Sequence, residues 1–311
     1  MAQFNYDISI GSAQLGGDTL VMTQWSPEVI RYGKDQLVFT NFLNVKTELG
    51  KGRGDTIVVP IYGEMPTLGT TALSEGTSVP IGTQDTDSIS VTVAEYGRGL
   101  TKPHTVDYVN NINNATELQR SLGWNWGKSL DALAKGVFDG AQFALWTIGT
   151  AGSYTFGSHK TELGVGTLTD DIIDYVYDKL KQAKAPAFPD GYYRWVTNNQ
   201  GARQVKRLGT FNLIQIHNIM PMGIIAQEIG VYRGFRFIET VENMPTNPIG
   251  YAFGQGVGVQ AFGMPVQIRY EANYKTDFGR VQGFAWLSIY GVAAALRDKG
   301  THLVVVKTGT T

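Results

Sequence analysis

The chain has 311 residues, enough to bury a substantial core in one large domain or two moderate ones. It contains no cysteine, which removes disulfides, thiolate nucleophiles and thiolate metal sites, and its net charge of −1 argues against a dedicated nucleic-acid binder. Charged residues make up only 17% while glycine supplies 38 positions, a balance that favours strands, turns and a surface hidden against neighbours.

The first residues carry neither the basic nor the apolar part of a signal peptide, and no apolar run reaches the roughly 20 residues that span a bilayer. A cytoplasm-like folding compartment is expected, with no membrane partner. In "WSPEVIRYGKDQLVFTNFLN", Ser26 is placed to cap a short helix with Pro27 at its first position and Glu28 next. Val29, Tyr32, Leu37 and Phe39 supply anchors, so this part reads as a docking arm. "DTIVVPIYG" predicts a strand whose Pro60 suits a sheet edge. "DSISVTVAEYG" alternates Ile89, Val91 and Val93 against Ser88, Ser90 and Thr92, a period-2 strand. The two strands pair as a long hairpin with an out-reaching far part.

Leu118, Leu122, Trp126, Leu130, Leu133, Val137, Ala141, Leu145 and Ile148 recur at spacings of three and four. They predict one helix over 114–148, about 50 Å long at 1.5 Å per residue, starting in a capping box at Asn114 and Glu117. Gly123, Gly127, Gly136 and Gly140 each cost about 1 kcal/mol there, which implies a compensating close contact. Further on, Thr169 caps a helix whose first turn holds Asp170 and Asp171. "YYRWVTN" is a strand, "NNQGARQVKRLG" a short basic helix, "MGIIAQEIG" another helix, and "GFRFIET" and "IGYAFG" strands. Two long strands follow, joined at a Lys275–Gly279 turn, and a last strand covers Leu303–Lys307. This order is α+β, not a regular βαβ alternation.

Catalytic and binding signatures are missing. Gly50-Lys51-Gly52-Arg53-Gly54 lacks the Gly-Lys-Ser/Thr ending of a phosphate loop and precedes a strand instead of a helix. "GQGVGVQAFG" (254–263) misplaces the third glycine of a dinucleotide fingerprint and reads as a strand or turn. His104, His159, His217 and His302 are scattered, and no Gly-x-Ser-x-Gly elbow occurs. Asp170 and Asp171 read as helix-dipole partners, and Arg53-Gly54-Asp55 as a chance tripeptide. Trp124, Trp126 and Trp146 are placed on the long helix and Trp286 on a C-terminal strand, in apolar stripes that suit packing better than base stacking. Arg203, Lys206 and Arg207 suit a solvated helix face or a salt-bridge partner for a neighbour better than a DNA site. No catalytic residue, cofactor site or metal site is expected.

The order of elements resembles the major capsid proteins of tailed bacteriophages, a fold shared with herpesvirus capsid floors. "WSPEVIRYGKDQLVF", "GDTIVVPIYG", "LSEGT", "VTVAEYGRGLT" and "YKTDFGRVQGFAWLSIYGVAAALRD" look like the branch found in many short-tailed phages. The resemblance implies an N-terminal arm over 1–48, an extended loop over 49–97, and a peripheral domain with a spine helix over 98–159. An axial domain would cover 160–263, peripheral return strands 264–296, and a C-terminal, axial strand 297–311. It implies hexamers and pentamers tiling an icosahedral shell around double-stranded DNA touched only non-specifically. The partners would be other copies of the chain, a portal protein, a decoration protein, and a scaffolding protein. With no acidic propeptide-like segment before the arm, the scaffold is expected to be a separate chain.

Some members of that fold crosslink their shells through a lysine on the extended loop. No lysine or arginine lies between Thr56 and Gly97, so a non-crosslinked shell is expected. The same stretch holds Glu64, Glu75, Asp85, Asp87 and Glu95, which suggests a loop laid across a neighbour's basic groups, with Arg98, Lys102, Lys128 and Lys135 as candidates. Leu68 and Leu73 would be apolar anchors, Arg53 and Asp55 ion partners at the loop's root, and Gly50, Gly52 and Gly54 its hinge. Two other readings remain at this point: a tail-tube or minor shell protein, and a soluble α+β enzyme or ligand-binding protein.

Overall fold

The apolar stripe that begins at Leu118 folds as helix α1, Asn114–Asp139, in a computed structural model. The structure describes residues 37–49, 54–62, 72–76, 78–79, 81–84, 86–105, 114–140, 143–147, 154–157, 166–209, 228–272, 278, 280–294 and 302–309. The helix expected from Ser26, with its anchors Val29 and Tyr32, lies outside these residues, as do His159 and His217.

Helix α1 is 26 residues long and stops short of the expected 148. Its end is at Gly140, whose N–H is shared between the carbonyls of Gly136 (3.1 Å) and Val137 (3.2 Å), a tightened last turn. Leu145 and Trp146 sit not on the helix but on strand β5 (Phe143–Thr147). Leu145 matched the helical spacing because Phe143–Trp146 is a continuous apolar run, which fits a helical period and a strand equally.

Two sheets organise the chain. The four-stranded sheet runs in the order β1 (Asn44–Lys46), β11 (Gly258–Ala272), β12 (Val281–Ala294) and β4 (Ala94–Pro103). Strand β1 is parallel to β11 and the other pairs are antiparallel. The seven-stranded sheet follows the order β6 (Tyr154–Gly157), β5, β13 (Leu303–Lys307), β10 (Ile249–Phe253), β7 (Tyr193–Thr197), β9 (Phe235–Glu239) and β8 (Glu228–Tyr232). The stretch 98–159 is therefore shared: β4 serves the first sheet, β5 and β6 the second, and α1 packs on both. A separate two-stranded unit pairs β2 (Thr56–Tyr62) with β3 (Thr86–Thr92), the expected hairpin.

Strands β7 and β10 are buried at every residue, as central strands should be. Gly250 is obligatory there, since a Cβ would run into the Trp195 indole, with Cε2 at 2.8 Å. Helix α2 (Asp170–Gln182) lays Ile172, Ile173, Val176 and Leu180 on one face of this sheet, against Tyr193, Trp195, Phe235 and Phe237. Thr169 stands at the N-cap as expected, yet its side chain makes no capping bond. Helix α3 (Asn199–Arg207) is capped by Asn198, which accepts the Gly201 N–H at 2.9 Å.

One expected element changes type. Of the helix expected in "MGIIAQEIG", residues 222–227 lie outside the described set and Glu228–Gly230 begin strand β8. The cause is the two-residue turn Arg233-Gly234, both at positive φ (45° and 81°), which folds β8 back on β9. Arg-Gly is a weak sequence signal for such a turn, and the short apolar run before it fits either period.

Helix α1 spans both sheets. Leu122, Trp126 and Leu130 pack on Val266, Ile268, Phe284, Trp286 and Tyr290 of the four-stranded sheet. Ala134, Val137 and Phe138 pack on Val196, Ile238, Tyr251 and Phe253 of the seven-stranded one. A hydrogen bond from Trp286 Nε1 to Asn125 Oδ1 (2.9 Å) fixes the rotation of the first half.

Candidate functional site

The hairpin β2–β3 lies on the four-stranded sheet, and its sequence explains its seat. The inward residues Ile57 and Val91, 8% and 0% exposed, pack with Leu49, Val259 and Ala261 on the outer face of the four-stranded sheet. The chain leaves β3 for β4 directly over Gly291, where a Cβ would stand 2.9 Å from the Thr92 carbonyl carbon. The Val93 N–H donates to the Asp55 carbonyl (2.8 Å), closing the hairpin's root.

The outward face of β2 is apolar as well. Val58 and Tyr62 are 61% and 59% exposed. Beyond the paired part, Leu73, Val79 and Ile81 are exposed too, Ile81 at 94%. Val79 and Ile81 were not among the expected anchors; they sit in a Ser/Gly/Pro-rich stretch without periodicity, so no pattern singled them out.

The expected contact residues separate into groups. Arg53, Glu64, Leu68, Asp85, Gly50 and Gly52 lie outside the described residues. Gly54 adopts φ +87° with nothing within 4 Å of a would-be Cβ, a conformation that suits glycine. The exposed Asp55 accepts from Thr56 Oγ1 (3.1 Å), and the Asp87 carboxylate accepts the Ser88 N–H (2.7 Å). Glu75 and Glu95 are exposed, Glu75 in a turn. Among the candidate cations, Arg98 is exposed on β4 and Lys102 is buried on the same strand. Lys128 pairs with Glu242 (3.0 Å), and Lys135 pairs with Asp139 (2.6 Å) while lying over the Tyr251 ring.

Two polar clusters escaped sequence reasoning. On the seven-stranded sheet Arg194 and Arg236 are register partners, and Asp190 reaches both, at 2.9 and 3.3 Å, with Glu228 3.3 Å from Arg236. Burial pushes the Asp190 carboxyl up, but the Arg194 hydrogen bond, the Tyr192 N–H and the two guanidinium charges outweigh it and hold it below the usual carboxylate value. On α1, the fully buried Asp131 accepts the backbone N–H groups of Val38 (2.9 Å), Phe39 (2.7 Å) and Thr40 (3.2 Å) on one oxygen. Its partners lie some ninety residues away, so no local motif announces it.

The expected basic face of α3 is present, with Arg203, Lys206 and Arg207 exposed and Lys206 paired to Glu239 (3.0 Å). Among the described residues no group of three His, Asp or Glu is placed to hold a metal ion. No described helix is long and apolar enough to cross a membrane. The described residues present a hairpin with apolar side chains on both of its faces.

No family model matches the sequence, and no curated protein matches it. Solved structures do. A chain from the capsid of Ralstonia phage GP4 superposes with a TM-score of 0.64 at 13% identity, covering 100% of this chain and 99% of that one. The cyanophage Pam1 capsid asymmetric unit gives 0.59 at 15% identity, with 100% and 99% coverage. The head structure of Helicobacter pylori bacteriophage KHP40 gives 0.60 at 10% identity, with 100% and 98% coverage. End to end, this chain has the fold of tailed-phage capsid proteins.

Proposed function

We propose that this chain is a major capsid protein that self-assembles into hexamers and pentamers, forming an icosahedral shell around double-stranded phage DNA. The observation that carries this reading is the full-length match in architecture to chains of phage capsids. The hairpin supports it. A two-stranded ribbon with apolar residues on both faces is poorly served by its own sheet alone, and a neighbouring copy is the natural cover for Val58 and Tyr62.

In this reading 1–48 is the N-terminal arm, 49–97 the extended loop, and the four- and seven-stranded sheets are the cores of the peripheral and axial domains. The acidic loop lies on a neighbour's basic groups. Arg98 is the best-placed of the expected cations, because Lys128 and Lys135 have acids of their own chain beside them. A scaffolding protein, a portal and a decoration protein are the partners such a shell calls for, assembly takes place in the host cytoplasm, and no reaction is catalysed. With no loop lysine or arginine between Thr56 and Gly97, mature particles should run as single subunits on a denaturing gel, not as a covalent ladder.

Negative-stain microscopy of the protein, expressed alone and with a scaffolding protein, tests the proposal. Shells or capsomer rings are expected. Open tubes would point to a tail-type assembly, and a monodisperse monomer in both preparations to a binding protein or enzyme.

A further inference from the structure

Helix α1 lays its two halves on different sheets, and residues 38–43 fill the corner where it passes from one to the other. Phe39, in the short 3-10 helix Phe39–Phe42, is fully buried against Phe138 of α1 and Tyr251 of β10, with ring centroids 5.0 and 5.6 Å away. Phe42 meets Phe253 at 5.2 Å. From the other side Gln260 of β11 donates to the carbonyls of Thr40 (2.9 Å) and Leu43 (3.3 Å), and its own oxygen accepts from Tyr290 of β12 (3.1 Å). The segment thus touches the helix and both sheets at once.

It is gripped chiefly by its backbone. Asp131 takes three consecutive N–H groups and Gln260 two carbonyls, and β1 then adds to the edge of β11 as a parallel strand. Side chains that read main-chain groups, combined with strand addition, are how a protein holds a separate peptide segment. The charge on Asp131 sharpens the point. Its second oxygen has no hydrogen-bond partner, and no ion pair reaches it among the described residues. Burial pushes its carboxyl up, against the pull of the three amides and of the Asn243 side chain. A buried carboxylate balanced by amide and hydroxyl dipoles, with no opposite charge beside it, is a costly way to fill a core position. What it adds over a neutral side chain is hydrogen bonds about twice as strong.

We propose that Asp131, Gln260, Phe138 and Tyr251 form a segment-docking groove that residues 38–43 occupy as a removable wedge, with Asp131 as the positioning residue that couples the chain before residue 38 to the joint between the two sheets. With the wedge seated, α1 is braced on both sheets. With it withdrawn, the space beside Phe138 and Tyr251 opens and the sheets gain freedom about α1. A pull on the N-terminal segment is thereby converted into a change at the joint.

The test uses the full-length, unassembled chain. Its lack of cysteine lets a spin-label pair be placed at Gln267→Cys on β11 and Gln182→Cys on α2 without other changes. In Asp131→Asn, which preserves shape and removes the charge, the amides of residues 38–40 should exchange about tenfold faster or more, while those of 122–130 in α1 stay as slow as before. In the same variant the label-to-label distance distribution should broaden, and in Asp131→Ala it should broaden further. Unchanged exchange at 38–40 would overturn the grip, and equal acceleration across α1 and β11 would reduce Asp131 to an ordinary core residue. Faster exchange with a distance distribution as narrow as the parent's would overturn the coupling. Should Asp131→Ala fail to fold, the Asp131→Asn chain carries both readouts alone.

Discussion

Gly291 is where the hairpin's seat can be tested most sharply. An added Cβ would lie 2.9 Å from the Thr92 carbonyl carbon and 3.0 Å from the Val93 Cα, and closer still to the Thr92 oxygen. All three are main-chain atoms, so Gly291→Ala is accommodated only by moving backbone. Two responses compete. Lifting the hairpin exposes Ile57 and Val91 at about 1.5–3 kcal/mol each, or about 3–6 kcal/mol together. Deforming the crossing in place costs about 1–3 kcal/mol, the usual cost of overpacking. The second is smaller, so the hairpin should stay seated and the subunit lose about 1–3 kcal/mol. Urea unfolding of the unassembled chain, followed by tryptophan fluorescence, should show a lower midpoint with an unchanged slope. Gly99→Ala is the control, because its nearest neighbour, the Phe284 carbonyl, is 3.4 Å away. If Gly291→Ala were as stable as the parent, or Gly99→Ala lost as much, the crossing would not be the tight contact described.

The remaining predictions are of other kinds. Gly136, on the exposed side of α1, has nothing within 4 Å of a would-be Cβ, so Gly136→Ala should stabilise the isolated subunit by about 0.5–1 kcal/mol. A simultaneous loss of assembly would place a neighbouring backbone there, whereas destabilisation of the isolated subunit would contradict the open space. Asp190, whose folded pKa is depressed, contributes stability that is present above the unfolded carboxylate value and is lost as pH falls through the folded one. Its carboxylate is open to solvent, which screens both pairs, so Asp190→Asn should cost up to about 1 kcal/mol at neutral pH. Its gap from the parent should close only below about pH 4 in denaturant titrations. A gap that vanished by pH 6, or persisted undiminished far below pH 4, would remove the paired carboxylate as its cause.

Local chemistry was readable wherever a pattern and a fold agreed. "DSISVTVAEYG" alternates because β3 has one face on the sheet and one on solvent, and "LVVVK" is β13 to the residue. The two long C-terminal strands were equally plain. The failures come from contacts distant in sequence. Whether Leu145 continued a helix or began a strand was decided by its place between β6 and β13, which no window around it contains. Strand β8 exists because β9 pairs with it across an Arg-Gly turn. Among the candidate contact residues, the Lys135–Asp139 pair was legible as an i,i+4 spacing, but Lys128–Glu242 joins a helix to a loop more than a hundred residues on. Asp131 was invisible for the same reason, since its spacing on α1 looks like any polar interruption of an apolar stripe.

A subunit-resolution map of the assembled particle tests the central claim directly. Closed rings of six and five subunits are expected, in which the β2–β3 hairpin of one copy lies on the next with Val58 and Tyr62 buried between them. Particles without such rings, or rings in which that face of the hairpin stays in solvent, would contradict it.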